Sequence, residues 1–320
     1  MLKRLAKSQR GVALLATLMA VALMTILVVD FTTSSSLNYR SAANQANELR
    51  AEYLARSAVN VGLALLAQQA RQNVGPGIQL PYYALTQPWA MPFPPVPMDG
   101  GTATVSIVDE ARKLNINELI NPHTGTVDPD VEQILQRLFA ILEIDPRIIP
   151  AIIDWLDPDS VESPGGGVEA DYYMRLIPPY EPRNGPMPTL GDLRLIRGVD
   201  TPTFIRLSQF LTTAPETRIN ANTVPPELLA SLSPELANNT SLVKEIMAAR
   251  ISEPFKSLND LGNLQGVGEN SAELMRLLST TSTYFMITGV GTYAGARRSI
   301  YATFRSNPNG TAILIGWNEQ

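Results

Sequence analysis

The chain has 320 residues, of which 45% are hydrophobic, and its formal net charge is −5 at pH 7. It contains no cysteine and a single histidine, His123, so the composition excludes disulfides, thiol chemistry and a histidine-rich metal site. The acidic balance argues against nucleic acid as the main partner, because phosphate binding needs a basic face. The length allows two hydrophobic cores or one large one.

An uncharged apolar run extends from Val12 to Val29 and follows a basic N-terminal segment. Its length suits a membrane-spanning helix, which needs about 20 apolar residues. The preceding segment carries four cations and no acid, so the positive-inside rule predicts that it stays in the cytoplasm and that the residues after Asp30 cross the membrane. The run is long for a signal peptide, and no A-x-A cleavage site follows it. An uncleaved signal anchor is the alternative.

Gly11, at the border between the basic segment and the apolar run, resembles the cleavage site of type IV prepilins and pseudopilins. The resemblance implies that a prepilin peptidase cuts between Gly11 and Val12, that Val12 is N-methylated, and that the apolar helix stays on the mature chain. Most members of those families carry a glutamate at the fifth mature position, which is Ala16 here. A subunit without that glutamate does not pair with the amine of a subunit above it, which fits a filament tip better than a shaft.

Helical periodicity continues beyond the membrane run and predicts one helix from Val12 to near Ala70. Residues 74–100 are rich in proline and glycine, so we expect no regular structure there. Aromatic side chains in this segment are expected to hold it against the body of the protein: Tyr82, Tyr83, Trp89 and Phe93.

Alternating β-branched residues predict a sheet whose strands are split along the chain. The predicted strands are Thr102–Val108, Tyr284–Gly289, Ser299–Arg305 and Ala312–Trp317, with a hairpin turn over residues 307–310. About 160 helical and loop-rich residues separate the first strand from the others. The simplest fold is therefore α+β, with a long N-terminal helix packed on an antiparallel sheet and a large helical domain inserted between strands.

These patterns predict five parts in chain order. They are a basic leader (1–11), the transmembrane part of the N-terminal helix (12–30), the first part of the helix-and-sheet domain (31–109), the inserted helical domain (110–280) and the C-terminal strands (281–320).

Two segments of the insertion, Thr189–Asp200 and Ser257–Gly268, share the pattern S/T-L-x-D-L-x-x-(I/L)-x-G-V. The pattern resembles the helix-hairpin-helix motif, in which nucleic-acid binders hold a phosphate at a helix N-terminus. The residues beside these hairpins are Asp200, Glu269 and Glu273, which repel phosphate. We interpret the repeats as structural modules, with a membrane-anchored periplasmic DNA-binding protein as the alternative.

Six carboxylates and no lysine or arginine lie between Asp154 and Asp171, on either side of a glycine-rich segment. Such a dense cluster of like charges repels itself unless it is solvated or bridged by a cation, and hard oxygen ligands on a glycine-rich loop suit calcium. The candidate ligands are Asp157, Asp159, Glu169 and Asp171, while Asp154 is expected to order the loop from its helix. The spacing is not that of an EF-hand, and a solvated acidic loop is the alternative.

Together these features resemble the K pseudopilins of type II secretion systems, in order along the whole chain. The resemblance rests on Gly11, Ala16, Lys113-Leu-Asn-Ile-Asn117, Asp154-Trp-Leu-Asp157 and Ile219-Asn-Ala-Asn-Thr223. It implies a pseudopilin fold with a structural calcium ion and an inner-membrane anchor with the C-terminal domain in the periplasm. The implied partners are minor pseudopilins I and J, the prepilin peptidase, the major pseudopilin and inner-membrane lipid.

The implied function is structural, namely to cap the tip of a pseudopilus and so support export of folded proteins across the outer membrane. A minor pilin of a type IV pilus is the near alternative. No catalytic residue is predicted, because the chain has no cysteine and its one histidine, in a turn-like context, offers no visible nucleophile–base pair.

Overall fold

The computed structural model describes residues 2–73, 82–264, 266–267, 271–307 and 311–320, with the backbone alone for residues 2–10, 271 and 273. Its buried apolar residues form two clusters. We call the cluster between the N-terminal helix and the sheet the sheet core, and the cluster within the helical insertion the insertion core.

A single helix, α1 (Leu2–Gln72), forms the N-terminal part of the chain. It starts before the predicted Val12 because the basic segment continues the same helix. Its 71 residues extend over about 105 Å. The two threonines of the apolar run, Thr17 and Thr25, each donate a hydrogen bond of 2.8 Å to a backbone carbonyl one turn earlier. Their hydroxyl groups are therefore satisfied inside the helix, as a lipid environment requires.

Within the described residues the sheet has five strands, which are antiparallel throughout and lie side by side in the order in which they are named next. They are β1 (Val96–Met98), β2 (Gly101–Asp109), β7 (Tyr284–Tyr293), β8 (Ala296–Ser306) and β9 (Ala312–Glu319). The four predicted strands are present, each longer than the sequence pattern indicated. Helix α1 packs across β2, β7 and β8.

Glycine allows this close packing. A Cβ atom at Gly289 or Gly291 of β7 would overlap the carbonyl oxygen of Ala55 or Ala51 of α1, respectively. The small residues on both sides bring the helix backbone directly onto the strand backbone.

The expectation that residues 74–100 hold no regular structure is wrong for their described part. A short 3₁₀ helix spans Pro88–Ala90, and β1 pairs with β2. Pro97 is compatible with β1 because this is an edge strand, where a missing N–H does not break the sheet. The expected packing is confirmed, since Tyr83 and Trp89 are buried in the sheet core and Phe93 packs against it.

The insertion leaves the sheet at the end of β2 and returns at the start of β7. Asp109 and Phe285 are paired neighbours in the sheet register, so the two ends of the insertion lie side by side. The elements of the insertion are α2 (Pro129–Ile141), α3 (Ile148–Leu156), α4 (Ala170–Tyr173), α5 (Thr201–Leu207), α6 (Pro226–Ser231), α7 (Pro234–Asn238), α8 (Thr240–Ser252), α9 (Leu258–Gly262) and α10 (Ser271–Leu277), with two short parallel pairs, β3 (Leu114–Asn115) with β4 (Leu211–Thr212) and β5 (Ile219–Asn220) with β6 (Leu278–Ser279).

The two repeated segments each contain a glycine with positive φ, +88° at Gly198 and +90° at Gly266. In the first segment the leading helix is a 3₁₀ helix, Leu190–Leu195, and Asp200 caps α5 by accepting a hydrogen bond from the Thr203 N–H. In the second segment the leading helix is α9, and residues 265 and 268–270 lie outside the described part of the chain. Residues 308–310 of the predicted hairpin turn also lie outside it.

Candidate functional site

The first candidate site is the N-terminal end of α1. Its apolar part includes an 18-residue window with a mean hydropathy of 2.8, long and apolar enough to cross a membrane, and none of this window is buried. Gly11 and Val12, the predicted cleavage pair, are exposed on this helix. Ala16 is exposed as well, and it places no carboxylate in the apolar run.

The second candidate site is the acidic loop that follows α3. Asp154 lies in the last turn of α3 and is fully buried, and its Oδ1 accepts a hydrogen bond of 2.9 Å from the Ser163 N–H. This bond closes the loop onto the helix, as the sequence predicts. Gly167 makes the closure possible, because a Cβ there would overlap Oδ2 of Asp154.

Three of the four predicted ligands come together in this loop. One carboxylate oxygen from each of Asp157, Asp159 and Glu169 lies within 4.8 Å of the other two. Asp157 ends α3, its N–H donating to the Ile153 carbonyl, while Glu169 directly precedes α4. The loop therefore folds back so that the end of one helix meets the start of the next.

The fourth predicted ligand, Asp171, is not brought into this group. Its side chain is 92% exposed and lies 3.8 Å from the guanidinium of Arg175. Asp171 lies in the first turn of α4 and faces Arg175 one turn later, whereas Glu169 precedes the helix in an extended conformation. Glu162, the sixth carboxylate of the sequence cluster, is also exposed.

The grouped carboxylates leave oxygen atoms without partners. Among the described residues, the buried oxygens of Asp154 (Oδ2), Asp157 (Oδ1) and Glu169 (Oε1 and Oε2) have no hydrogen-bond donor. Within the described part of the chain, none of these residues takes part in an ion pair. Buried carboxylates in this condition are costly unless a cation or a proton neutralises them.

The electrostatics of the loop follow from this crowding. Burial, followed by repulsion from Asp159 and Asp154, raises the pKa of Asp157 to about 6. Burial, followed by repulsion from Asp154, Asp157 and Asp159, raises the pKa of Glu169 to about 7. A bound cation would reverse both effects, because an adjacent positive charge favours the ionised form.

The donor set fits a calcium ion. Calcium takes six to eight oxygen ligands at about 2.3–2.6 Å, so oxygens on opposite sides of one ion lie up to about 5 Å apart. The separation of the three carboxylates falls within that limit. All the candidate donors are hard oxygens, and two of the three grouped residues, Asp157 and Glu169, have buried oxygens without a donor among the described residues.

Sequence reasoning missed a buried polar cluster where the insertion meets the sheet. Asp109 is 1% exposed, and its Oδ2 accepts hydrogen bonds from Asn220 (3.1 Å), Thr223 (2.6 Å) and Ser282 (2.7 Å). Its Oδ1 accepts a further bond of 2.9 Å from the Ala111 N–H. We call these residues the Asp109 joint. It ties the last residue of β2 to the insertion and to the segment that enters β7.

An N-terminal helix that carries a candidate membrane span and then packs on an antiparallel sheet is the architecture of a pilin-like subunit. Comparison with known proteins identifies the family. Models described as "Type II secretion system (T2SS), protein K" match residues 112–216 and 219–281, together more than half of the chain. The chain therefore belongs to the type II secretion system protein K family, and it is a minor pseudopilin of that system.

Full-length relatives agree with this assignment. The chain is 28% identical to the type II secretion system protein K of Pseudomonas aeruginosa, over 95% of this chain and 91% of that one. It is 26% identical to the protein K of Aeromonas hydrophila, over 94% and 95% of the two chains. A solved structure of the GspK-GspI-GspJ complex from enterotoxigenic Escherichia coli has the same fold, with a TM-score of 0.70 at 19% identity over 90% of this chain and 99% of that one.

Proposed function

We propose that the chain caps the tip of the type II pseudopilus. The observation that carries this proposal is the lack of a carboxylate in the apolar run, where Ala16 takes the position of the usual glutamate. A carboxylate in lipid is stabilised only by a charged partner, and a subunit that needs no such partner has no requirement for another subunit above it. The insertion, from residue 110 to residue 280, adds a bulk that would obstruct regular stacking along a shaft.

The chain would reach this position by the pilin route. The prepilin peptidase would cut between Gly11 and Val12, Val12 would be N-methylated, and α1 would remain in the inner membrane with the sheet and the insertion in the periplasm. Minor pseudopilins I and J would assemble with it through their helices, and this tip would rest on the major pseudopilin. The role is structural, and we propose no catalysis.

The processing step is tested by intact mass. The full chain is extracted from membranes of cells with and without the prepilin peptidase. The mass of a chain that begins at methylated Val12, present only with the peptidase, would support the proposal. A chain that keeps residues 1–11 in both strains would contradict it.

We further propose that the acidic loop holds a structural calcium ion, with Asp157, Asp159 and Glu169 as ligands. Asp154 holds the loop in place through its hydrogen bond from the Ser163 N–H. The ion would neutralise the buried carboxylates and fix the loop between α3 and α4. The supporting observation is the set of buried carboxylate oxygens without donors.

Thermal unfolding of the full chain in detergent tests the ion. Calcium that binds only the folded state at about 100 times its Kd stabilises that state by about 2.7 kcal/mol, which raises the Tm measurably. Magnesium at the same concentration should do much less, because it demands a tighter octahedral shell. A Tm that is the same in EDTA and in calcium would contradict the site.

The repeated segments of the insertion are proposed to act as packing modules, with no role in binding nucleic acid. Asp200, which caps α5, places a negative charge where a phosphate would have to bind.

A further inference from the structure

A cavity of about 500 Å³ lies where the insertion meets the face of the sheet opposite α1. Val108 of β2 and Met286 of β7, which are paired in the sheet register, line it. Phe285 and Ile287, on either side of Met286, are buried in the sheet core under α1, so Met286 points to the opposite face. The insertion contributes further apolar residues to the lining: Phe210, Pro225 and Pro226. We call this space the junction cavity.

The junction cavity is also lined by a cation that has no bonded acid. Arg112 ends the short 3₁₀ helix that follows β2 and is half-buried. Within the part of the chain that the structure describes, it forms no ion pair, and its buried Nε has no acceptor. Burial lowers the pKa of Arg112, against the attraction of Asp109 and Glu110. Because a guanidinium stays charged in proteins, this partly desolvated charge is costly unless an anion binds it.

The nearby acids are bonded to other groups. Glu110 accepts hydrogen bonds from Lys113 Nζ (2.9 Å) and from the Thr212 hydroxyl (2.6 Å). The donors to the Asp109 carboxylate belong to the Asp109 joint and do not include Arg112. Lys113, the other cation of the cavity lining, is therefore neutralised by its ion pair with Glu110, whereas Arg112 is not.

A second guanidinium lies close to the first. Arg250 of α8 is 6% exposed, and its Nη1 donates to the carbonyls of Ala221 (3.1 Å) and Val224 (2.7 Å), the latter directly before Pro225 of the cavity lining. Burial, followed by repulsion from Arg112, lowers the pKa of Arg250 to about 10. An anion bound to Arg112 would offset this repulsion, because an opposite charge stabilises the charged form of both groups.

A single carboxylate on an apolar group fits these surroundings. A guanidinium binds a carboxylate through two parallel hydrogen bonds. Pockets of about 300–1,000 Å³ usually hold organic ligands, and an inorganic anion would leave the apolar part of the lining uncovered. Glu227, half-buried at the same cavity, repels ligands with several negative charges, such as phosphates. The exposed amide of Gln209 can bond the backbone of a peptide.

We propose that the junction cavity binds an acidic peptide segment of another protein, with an aspartate or glutamate carboxylate against Arg112 and a neighbouring apolar side chain on Met286. The inference goes beyond the proposed function and does not depend on it, because the cavity lies on the opposite face of the sheet from α1.

Selection from a random heptapeptide library displayed on phage tests the ligand class. The library is selected on the full chain in detergent, after removal of the phage that bind Arg112→Gln. The recovered peptides should be enriched in aspartate or glutamate next to an apolar residue. A recovered set without this enrichment, or no recovered peptide, would overturn the proposal.

Fluorescence anisotropy then compares a recovered peptide with its asparagine or glutamine analogue. Loss of a charge-assisted contact weakens binding by about tenfold or more, so the analogue should have a Kd higher by at least this factor. The Arg112→Gln chain should bind both peptides equally weakly. Arg297→Gln is the matched control and should leave the Kd unchanged, because Arg297 is an exposed cation on the same face of the sheet, at the far end of β7 and β8.

Glu227→Gln guards against a variant that simply fails to fold. It removes a like charge from the cavity lining and should lower the Kd of the acidic peptide, which a misfolded chain could not do. An unchanged Kd in both Glu227→Gln and Arg112→Gln would overturn the proposal.

Two other occupants give different results, and each would overturn the proposal. Sodium acetate that binds as tightly as the peptide would indicate a site for a free anion. Self-association of the full chain that Arg112→Gln abolishes would indicate that a second copy of this chain occupies the cavity.

Discussion

At the scale of single residues, the acidic loop combines carboxylates with different surroundings. Glu169 and Asp157 are buried and have oxygen atoms without donors, whereas Asp159 accepts a hydrogen bond from the Val161 N–H and is exposed. The buried pair is destabilising without a cation and stabilising with one. Removing one charge should therefore have opposite effects in the two states.

Glu169→Gln tests this reversal. In EDTA at neutral pH the variant should be as stable as the unsubstituted chain or more stable, because it removes a buried, repelled carboxylate. In calcium it should be less stable, because the ion loses a charged ligand. The measurement is the Tm of the full chain in both buffers.

Asp171→Asn is the matched control for this experiment, since Asp171 is also a carboxylate of the cluster but lies outside the ligand group. Its calcium-dependent rise in Tm should equal that of the unsubstituted chain. A loss of the rise in Asp171→Asn, or an unchanged rise in Glu169→Gln, would show that the ligands are assigned incorrectly.

The Asp109 joint predicts a pH dependence of stability. Burial raises the pKa of Asp109 from 3.8 to about 6, although its hydrogen bonds oppose the shift. Between these two values the unfolded chain ionises at this residue while the folded chain keeps the proton, so ionisation destabilises the fold as the pH rises. The contribution of Asp109 to the free energy of unfolding is therefore greatest below pH 3.8, falls as the pH rises through 6 and is constant at higher pH.

Asp109→Asn removes this titration. The free energy of unfolding of the unsubstituted chain, relative to the variant, should be about 2 kcal/mol smaller at pH 7 than at pH 4. Denaturant titrations of both chains over this range measure the difference, in which shared groups cancel. Asp145→Asn is the control, because the hydrogen bonds and charge of Arg147 lower the pKa of Asp145. The difference in the free energy of unfolding for this variant should therefore change with pH in the opposite direction. A pH-independent difference for Asp109→Asn would contradict the assignment.

At the scale of elements, the contact between α1 and β7 depends on the absence of side chains. Gly289 and Gly291 let the helix backbone approach the strand, and the buried Ala55 and Ala58 of α1 keep the distance short. This packing differs from the usual helix-on-sheet contact, in which larger side chains separate the two layers. One methyl group added to either glycine of β7 should therefore push the helix away from the strand.

Gly291→Ala should lower the free energy of unfolding by about 1–3 kcal/mol, because the new Cβ overlaps the Ala51 carbonyl oxygen and must displace α1. Gly316→Ala on β9 is the control, since a Cβ there would lie 3.7 Å from its nearest neighbour, the side chain of Thr303. Denaturant unfolding of the two variants compares them. Equal stability would show that α1 is not held by this close approach.

The sequence predicted the elements better than their connections. Apolar periodicity over long segments indicated α1 and the four main strands, because burial on one face imposes a regular pattern. The short strands β3 to β6 have two residues each, too few to show any period. The Asp109 joint was missed because its members are up to 173 residues apart, and nothing local marks them as neighbours.

At the scale of the whole molecule, the two apolar cores are separate clusters. Hydrogen bonds connect them, through the Asp109 joint and through Glu216, which accepts bonds from the N–H groups of Thr283 and Tyr284 at the start of β7. Polar connections of this kind contribute less stability than a shared apolar core. The insertion and the helix-and-sheet part should therefore open as separate units.

Hydrogen exchange of the full chain tests this independence. Leu138→Ala, in the insertion core, should cost about 2–5 kcal/mol and increase exchange across residues 110–280 while leaving the amides of β7 and β8 protected. Ile287→Ala, in the sheet core, is the matched counterpart and should have the reverse effect. A loss of protection in both parts after either substitution would show that they form one cooperative unit.

The position of the insertion also has a mechanical consequence. Its two ends leave the sheet at paired residues of adjacent strands, Asp109 of β2 and Phe285 of β7. A force on the insertion therefore acts on both strands in the same direction, and the hydrogen bonds between them experience no shear. The load passes through the sheet as a whole into α1, so at the proposed tip position the insertion would meet resistance without pulling the two strands out of register.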